Sequence, residues 1–152
     1  MQGERQMKDV SKNIVLFSIG GAIYLMIEVI WRYLMNRPDT HWTMFIVGGL
    51  AFLIIGSINE YFAWEIPIWL QSIIGTIAVT VLEFISGCVL NIWLGLNIWD
   101  YSNMPLNLFG QICVPFMGAW IILVTIAIIV DDYFRWLIYK EEMPRYQWWF
   151  SA

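Results

Sequence analysis

The sequence predicts an all-α integral membrane bundle of about four transmembrane helices, with a polar loop before the last one. Three observations predict it. Hydrophobic residues make up 60% of the 152 positions and charged residues only 13%, far from the balance of a soluble domain. Mean hydropathy is +0.66, and the apolar residues gather into four runs near the ~20 residues that cross ~30 Å of hydrocarbon. The chain also carries 10 Trp and 7 Tyr, residues whose polar tips favour headgroups while their rings stay in hydrocarbon.

Residues 1–13 hold Arg5, Lys8 and Lys12 and read as an amphipathic or disordered cytoplasmic lead. A transmembrane domain follows over 14–132, and 133–152 form a cytoplasmic interfacial tail with Trp136, Tyr139, Trp148 and Trp149. No small-residue cleavage pattern follows the first apolar run, so the lead is not read as a signal peptide. The first span runs from Ile14 to about Met35 and is ended by Arg37-Pro38-Asp39. The second runs from Trp42 to about Ile58, with Gly48-Gly49 and Gly56 on a packing side. Asn59–Glu65 forms an aromatic interfacial turn closed by Pro67. The third span starts near Ile68 and stays helix-compatible to Asn91 or Gly95, so it tilts or emerges from the bilayer. The fourth covers about Leu108 to Val130, with Pro115 as an expected kink and Asp131-Asp132 as solvated stop charges.

Four spans place both termini on one side. Six of the eight Lys and Arg residues lie in the terminal segments, so the positive-inside bias makes that side cytoplasmic. Arg37, in the first external loop, counts weakly against it. The location is then a bacterial plasma membrane, crossed several times, with the Asp100 loop extracytoplasmic.

Polar residues at membrane depth are expensive and mark sites. Glu28 and Arg32 are four apart in the order that favours pairing. Glu83 lies inside the third span, with Asn91 two turns on. Counting 1.5 Å per residue, Glu28 and Glu83 both fall roughly 20–25 Å from the inner boundary. If they meet, Arg32 neutralises only one, and the other must be protonated, bind a cation or face water. The alternative is a structural Glu28–Arg32 pair with Glu83 bonded to a helix backbone or to Asn91. The segment holding Trp99, Asp100, Tyr101, Ser102 and Asn107 either closes on its own backbone or forms a re-entrant lid, with Gln111 pointing inward.

Enzyme and metal motifs are missing from the sequence. His41 is the single histidine and has no partner at zinc-ligand spacing. There is no nucleophile elbow, Walker A motif or Gly-rich phosphate cradle. No cofactor is expected, and no basic stripe suggests nucleic acid. Cys88 and Cys113 read as small packing residues, with a disulfide between helix ends as the alternative.

Several elements together carry a resemblance: Glu28-Val29-Ile30-Trp31-Arg32, then His41-Trp42-Thr43-Met44-Phe45 with Gly48-Gly49, then Leu82-Glu83-Phe84 with Gly87-Cys88. Trp99-Asp100-Tyr101-Ser102, Pro105-Leu106-Asn107 and Gly110-Gln111-Ile112-Cys113 follow in order. Over roughly residues 20–132 the chain resembles the type IV ABC-transporter permeases, the CmpB-like small bacterial membrane proteins. The resemblance implies a multi-pass membrane subunit of a transporter, working in the lipid bilayer as a homo-oligomer or beside a separate ATPase subunit. It brings no catalytic residues. The expected function is a permease-like component for small solutes. The alternative is a non-transporting accessory protein that binds a partner through its glycine faces and aromatic tail.

Overall fold

The structure is a computed structural model that describes residues 2–37, 39–61 and 66–149. The elements are α1 (Gln2–Leu34), α2 (Thr43–Gly56), α3 (Ile58–Tyr61), α4 (Ile68–Gly87), a π-helical segment (Cys88–Trp93), strands β1 (Asn107–Leu108) and β2 (Ile112–Cys113), and α5 (Val114–Tyr139). Among the described residues, four helical stretches are long and apolar enough to cross a membrane: Asp9–Leu34, Thr43–Glu60, Ile68–Trp93 and Val114–Tyr139. The all-α expectation holds.

The chain divides into two compact units, Met1–Leu53 and Ile54–Ala152. In the first, α1 and α2 meet through glycines. A Cβ on Gly20 or Gly48 would run into the side chains of Phe52 and Tyr24, and one on Gly49 would come within 2.7 Å of Phe17. Phe17 and Phe45 then pack edge to face, their centroids 5.8 Å apart. Small residues that let two backbones approach are how helices gain dispersion contacts in lipid, where burial from water offers nothing. The glycine faces expected to bind a partner are thus used within the chain. The helix also starts earlier than expected, at Gln2, and takes in most of the lead.

In the second unit α4 packs on α5. The buried positions of α4 are Ile68, Gln71, Ser72, Gly75, Thr76, Val79, Thr80, Glu83 and Gly87, a helical repeat of three and four. Its outward positions, among them Ile73, Ile77, Val81 and Ile85, are exposed and apolar. Polar-in and apolar-out is the order a lipid solvent imposes.

Two boundaries differ from the sequence reading. The fourth span starts at Val114 rather than Leu108, because residues 107–113 form a hairpin pairing Asn107 with Cys113 and Leu108 with Ile112. Pro115 is therefore no kink. It is the second residue of α5, where its missing N–H leaves no helical bond unmade. Asp131 and Asp132 do not end the helix either; α5 continues to Tyr139 and closes on Lys140 in the left-handed conformation (φ 59°). Within the turn expected at 59–65, Ile58–Tyr61 is helical, while 62–65 lie outside the described residues, as does Pro38. Cys88 and Cys113 are both free thiols, Cys113 buried.

Candidate functional site

Glu83 is 8% exposed and lies 15 residues into α4, about 23 Å along the helix axis at 1.5 Å per residue. Uncharged donors from two other segments reach it. The Tyr101 hydroxyl donates to Oε1 at 3.2 Å, and the Trp120 indole N–H donates to Oε2 at 3.0 Å. Tyr101 comes from the loop and Trp120 from α5, so the carboxylate ties three segments together. Tyr101 is fixed in turn by stacking on Phe116, centroids 4.6 Å apart.

The loop reaches Glu83 because the helix before it is widened. The π-helical segment Cys88–Trp93 adds a residue per turn, a deviation that often re-aims side chains at functional sites. It turns Asn91 inward, 7% exposed. Asn91 accepts from the Ile98 backbone N–H at 2.7 Å and donates to Gln111 Oε1 at 2.9 Å. Gln111 is buried against Gly87, where a Cβ would come within 2.6 Å of its Oε1. The Trp99 indole N–H donates to the Gln111 carbonyl at 3.0 Å, and Tyr101 N–H to the Gly110 carbonyl at 2.7 Å.

The remaining loop residues close the loop on itself. Asp100 is exposed and accepts from the Ser102 backbone N–H at 2.8 Å and from the Ser102 hydroxyl. Those two bonds, the hydroxyl's first, hold its pKa below the ordinary carboxylate value. Asn107 donates to the carbonyls of Ser102 and Met104 and accepts from Gly110 N–H. Gly110 sits at φ +69°, a conformation that suits glycine, and a Cβ there would also meet Ser102 and Asp100.

Glu28 and Arg32 pair as their spacing implies, Arg32 Nε donating to Glu28 Oε1 at 2.5 Å. Arg32 Nη1 also donates to the Asp39 carbonyl at 2.7 Å, so the pair ties the end of α1 to the turn after it. Both belong to the first unit and Glu83 to the second.

A second polar cluster escaped the sequence reading. Asp131, Asp132 and Arg135 are 0%, 5% and 6% exposed, so the two aspartates are not solvated stop charges. Arg135 Nε donates to Asp131 Oδ2 at 2.5 Å and its Nη1 to Glu60 Oε1 at 2.7 Å. Asp132 Oδ2 accepts from Asn59 at 2.6 Å and from the Tyr146 hydroxyl at 2.8 Å. Burial, then the Asp132 charge beside it, raises the Tyr146 pKa. Gly56 makes room, since a Cβ there would strike the Asp131 carboxylate. The signal was present: Asp131 and Arg135 have the same four-residue spacing that revealed Glu28 and Arg32. Trp120 was also missed; its only cue is a Trp well inside a span rather than at its rim. Among the described residues no group of three or more His, Cys, Asp or Glu side chains is placed to hold a metal.

A polar-in helix pair with four membrane-length helices defines a multi-pass membrane protein. The model of one family, described as "Putative ABC-transporter type IV", matches residues 15–151. The chain belongs to this CmpB-type ABC-transporter family. No curated protein and no solved structure matches it.

Proposed function

We propose that the chain is the permease-like membrane component of a small-solute transporter, with Glu83 at its working site. One observation carries this: a carboxylate deep in a span is capped by Tyr101, a residue delivered from a loop. Intramembrane ionisable groups mark ion and substrate paths by default. The Tyr101 hydroxyl is an uncharged donor, which a proton or a cationic solute group replaces on the carboxylate. Glu83 then binds the proton, cation or cationic group of the solute, Trp120 orients it, and the Trp99–Gln111 loop opens and closes over it.

The orientation follows from charge. Both termini face the cytoplasm, in a bacterial plasma membrane, and the loop over Glu83 faces outward. The sequence has no nucleotide-binding motif, so ATP hydrolysis belongs to a separate subunit and the chain itself is not an enzyme. A second copy of the chain or that ATPase completes the pathway. The Glu28–Arg32 pair serves in the first unit as a structural tie. The accessory-protein alternative loses support from the glycine faces, which are filled within the chain.

Infrared difference spectroscopy of the purified protein tests this, with Glu83→Gln as control. A Glu83 carboxyl band that titrates, and that shifts on adding sodium or a member of a solute panel, supports a working site. A band fixed across pH and indifferent to every addition rejects it.

A further inference from the structure

Between Glu83 and Asp131 the chain carries one charged side chain, Asp100. The loop around it, 94–113, also turns large apolar side chains outward: Leu106 is 78% exposed, Phe109 73% and Leu108 47%. Leu106 and Phe109 both stand at φ 51°, in the left-handed region where a bulky side chain is a costly outlier. Such strain persists only where the surroundings impose it. Here the loop's own bonds do so: Asn107 donates to the carbonyls of Ser102 and Met104 and accepts from Gly110 N–H, and Gln111 N–H donates to the Leu108 carbonyl at 3.0 Å. In water this arrangement leaves apolar surface exposed at a further cost. Against hydrocarbon it does not.

The depth of the loop follows from what it touches. Arg135 pairs with Glu60, whose charged side chain is 47% exposed, so that end of α5 meets water. About 20 residues cross the hydrocarbon, and counted back along α5 from Arg135 they reach Phe116. Tyr101 stacks on Phe116, centroids 4.6 Å apart. The Phe109 ring lies 6.4 Å from that of Phe84, which is 16 residues past Ile68 in α4. That is ~24 Å along the helix axis, short of the ~30 Å that hydrocarbon spans. The loop therefore folds back to the rim of the hydrocarbon. Val81 and Ile85, beside Phe84 on α4, are exposed and apolar, so Phe109 extends a surface already turned to lipid. Irregular backbone tolerates such a place only with its polar groups bonded. Tyr101, Met104 and Gln111 N–H meet backbone carbonyls, and Ser102 and Gly110 N–H meet the side chains of Asp100 and Asn107.

We propose that the Leu106–Phe109 edge of the loop is a bilayer anchor, its side chains set among the acyl chains of the leaflet remote from the Glu60–Arg135 pair. The partner is lipid, met by apolar contact and not by headgroup charge, since 94–113 hold no Lys or Arg. The polar side chains Asp100, Ser102 and Asn103, exposed in the same loop, stay among headgroups and water. Apolar side chains inside the interface with polar ones outside it fix the depth of a segment. The anchored segment is also the one that delivers Tyr101 to Glu83, so the cap on the carboxylate is tethered to the leaflet. The anchor does not depend on solute binding at Glu83, and either can fail without the other.

The test uses the full chain in phosphatidylcholine nanodiscs, with Cys88 and Cys113 replaced by alanine and a nitrobenzoxadiazole label on Leu106→Cys, Phe109→Cys or Asn103→Cys in turn. Labels at 106 and 109 should emit at shorter wavelength than the label at 103. They should lose intensity to lipids carrying a nitroxide on the acyl chain and keep it in iodide, while the label at 103 does the reverse. Equal iodide quenching at all three positions overturns the proposal, because the edge then lies in water. Labels at 106 and 109 that neither quencher reaches also overturn it, because protein, such as a second copy of the chain, then covers the edge. The wild-type chain gives a second reading free of substitutions. A phosphatidylcholine with a diazirine on its acyl chain should, on illumination, mark the peptide holding Leu106 and Phe109 as well as Val81 and Ile85 of α4. Marks on α4 alone overturn the anchor.

Discussion

Asp100 and Ser102 show how a loop carboxylate is used without a basic partner. The Ser102 hydroxyl and backbone N–H stabilise its charged form, so its folded pKa lies below the unfolded value. Its contribution to stability is present above that unfolded value and is lost as pH falls through the folded one. Ser102→Ala removes the larger cause, and carboxyl NMR titration should show Asp100 rising towards its ordinary 3.8. Tyr146 has the opposite sign. Its folded pKa is raised, so its contribution is complete below the unfolded value of 10.0 and declines as pH climbs towards the folded one. Tyr146→Phe should cost about 1 kcal/mol near neutral pH, and the alkaline fall in Tm should become shallower. Asp132 keeps its Asn59 bond in that variant, which limits the loss.

At the scale of elements, α5 depends on the Asp131–Arg135 pair and α1–α2 on their glycines. Arg135→Met removes the cation paired with Asp131, which has no exposed surface, and leaves it beside the buried Asp132. Breaking such a pair typically costs roughly 3–5 kcal/mol, to be read as a lower Tm and lower yield. Asp131→Asn with Arg135→Met should recover part of it, because the carboxylate paired with Arg135 Nε is then neutral while Asp132 keeps its Asn59 and Tyr146 bonds. In the first unit, Gly48→Leu drives a side chain into Tyr24. Overpacking of this kind costs about 1–3 kcal/mol, and thermal unfolding monitored by tryptophan fluorescence should show it. Both elements were partly legible beforehand. The paired glycines flagged a close approach without naming its partner, and the four-residue spacing of Asp131 and Arg135 was available. What concealed that pair was position: charges at the end of an apolar run look like stop signals until a neighbouring helix covers them.

At the scale of the whole molecule, four spans and the terminal clustering of Lys and Arg predict one topology. A cysteine at Asn103, in a chain with Cys88 and Cys113 replaced by alanine, should react with a membrane-impermeant maleimide from outside intact cells. A cysteine at Gln2 should react only after permeabilisation. The reverse pattern would invert the assignment, and with it the side from which the proposed function has solute reach Glu83. The CmpB-type family covers residues 15–151, so both the loop and the tail cluster fall inside the matched region.

Composition and periodicity determined by themselves that the chain is a helical membrane protein, because hydrocarbon tolerates few alternatives to apolar helices with satisfied backbones. They also marked Glu83 and the Trp99–Gln111 segment, since a carboxylate at membrane depth and a polar loop between apolar runs stand out locally. Only the tertiary structure decided what those residues touch. That Tyr101 and Trp120 grip Glu83 depends on pairings 18 and 37 residues apart, and that Asp132 is bonded by Asn59 depends on one of 73. No local pattern encodes such separations. The left-handed backbone of Leu106 and Phe109 is likewise invisible in sequence, because neither side chain favours it and only the bonds of the folded loop impose it.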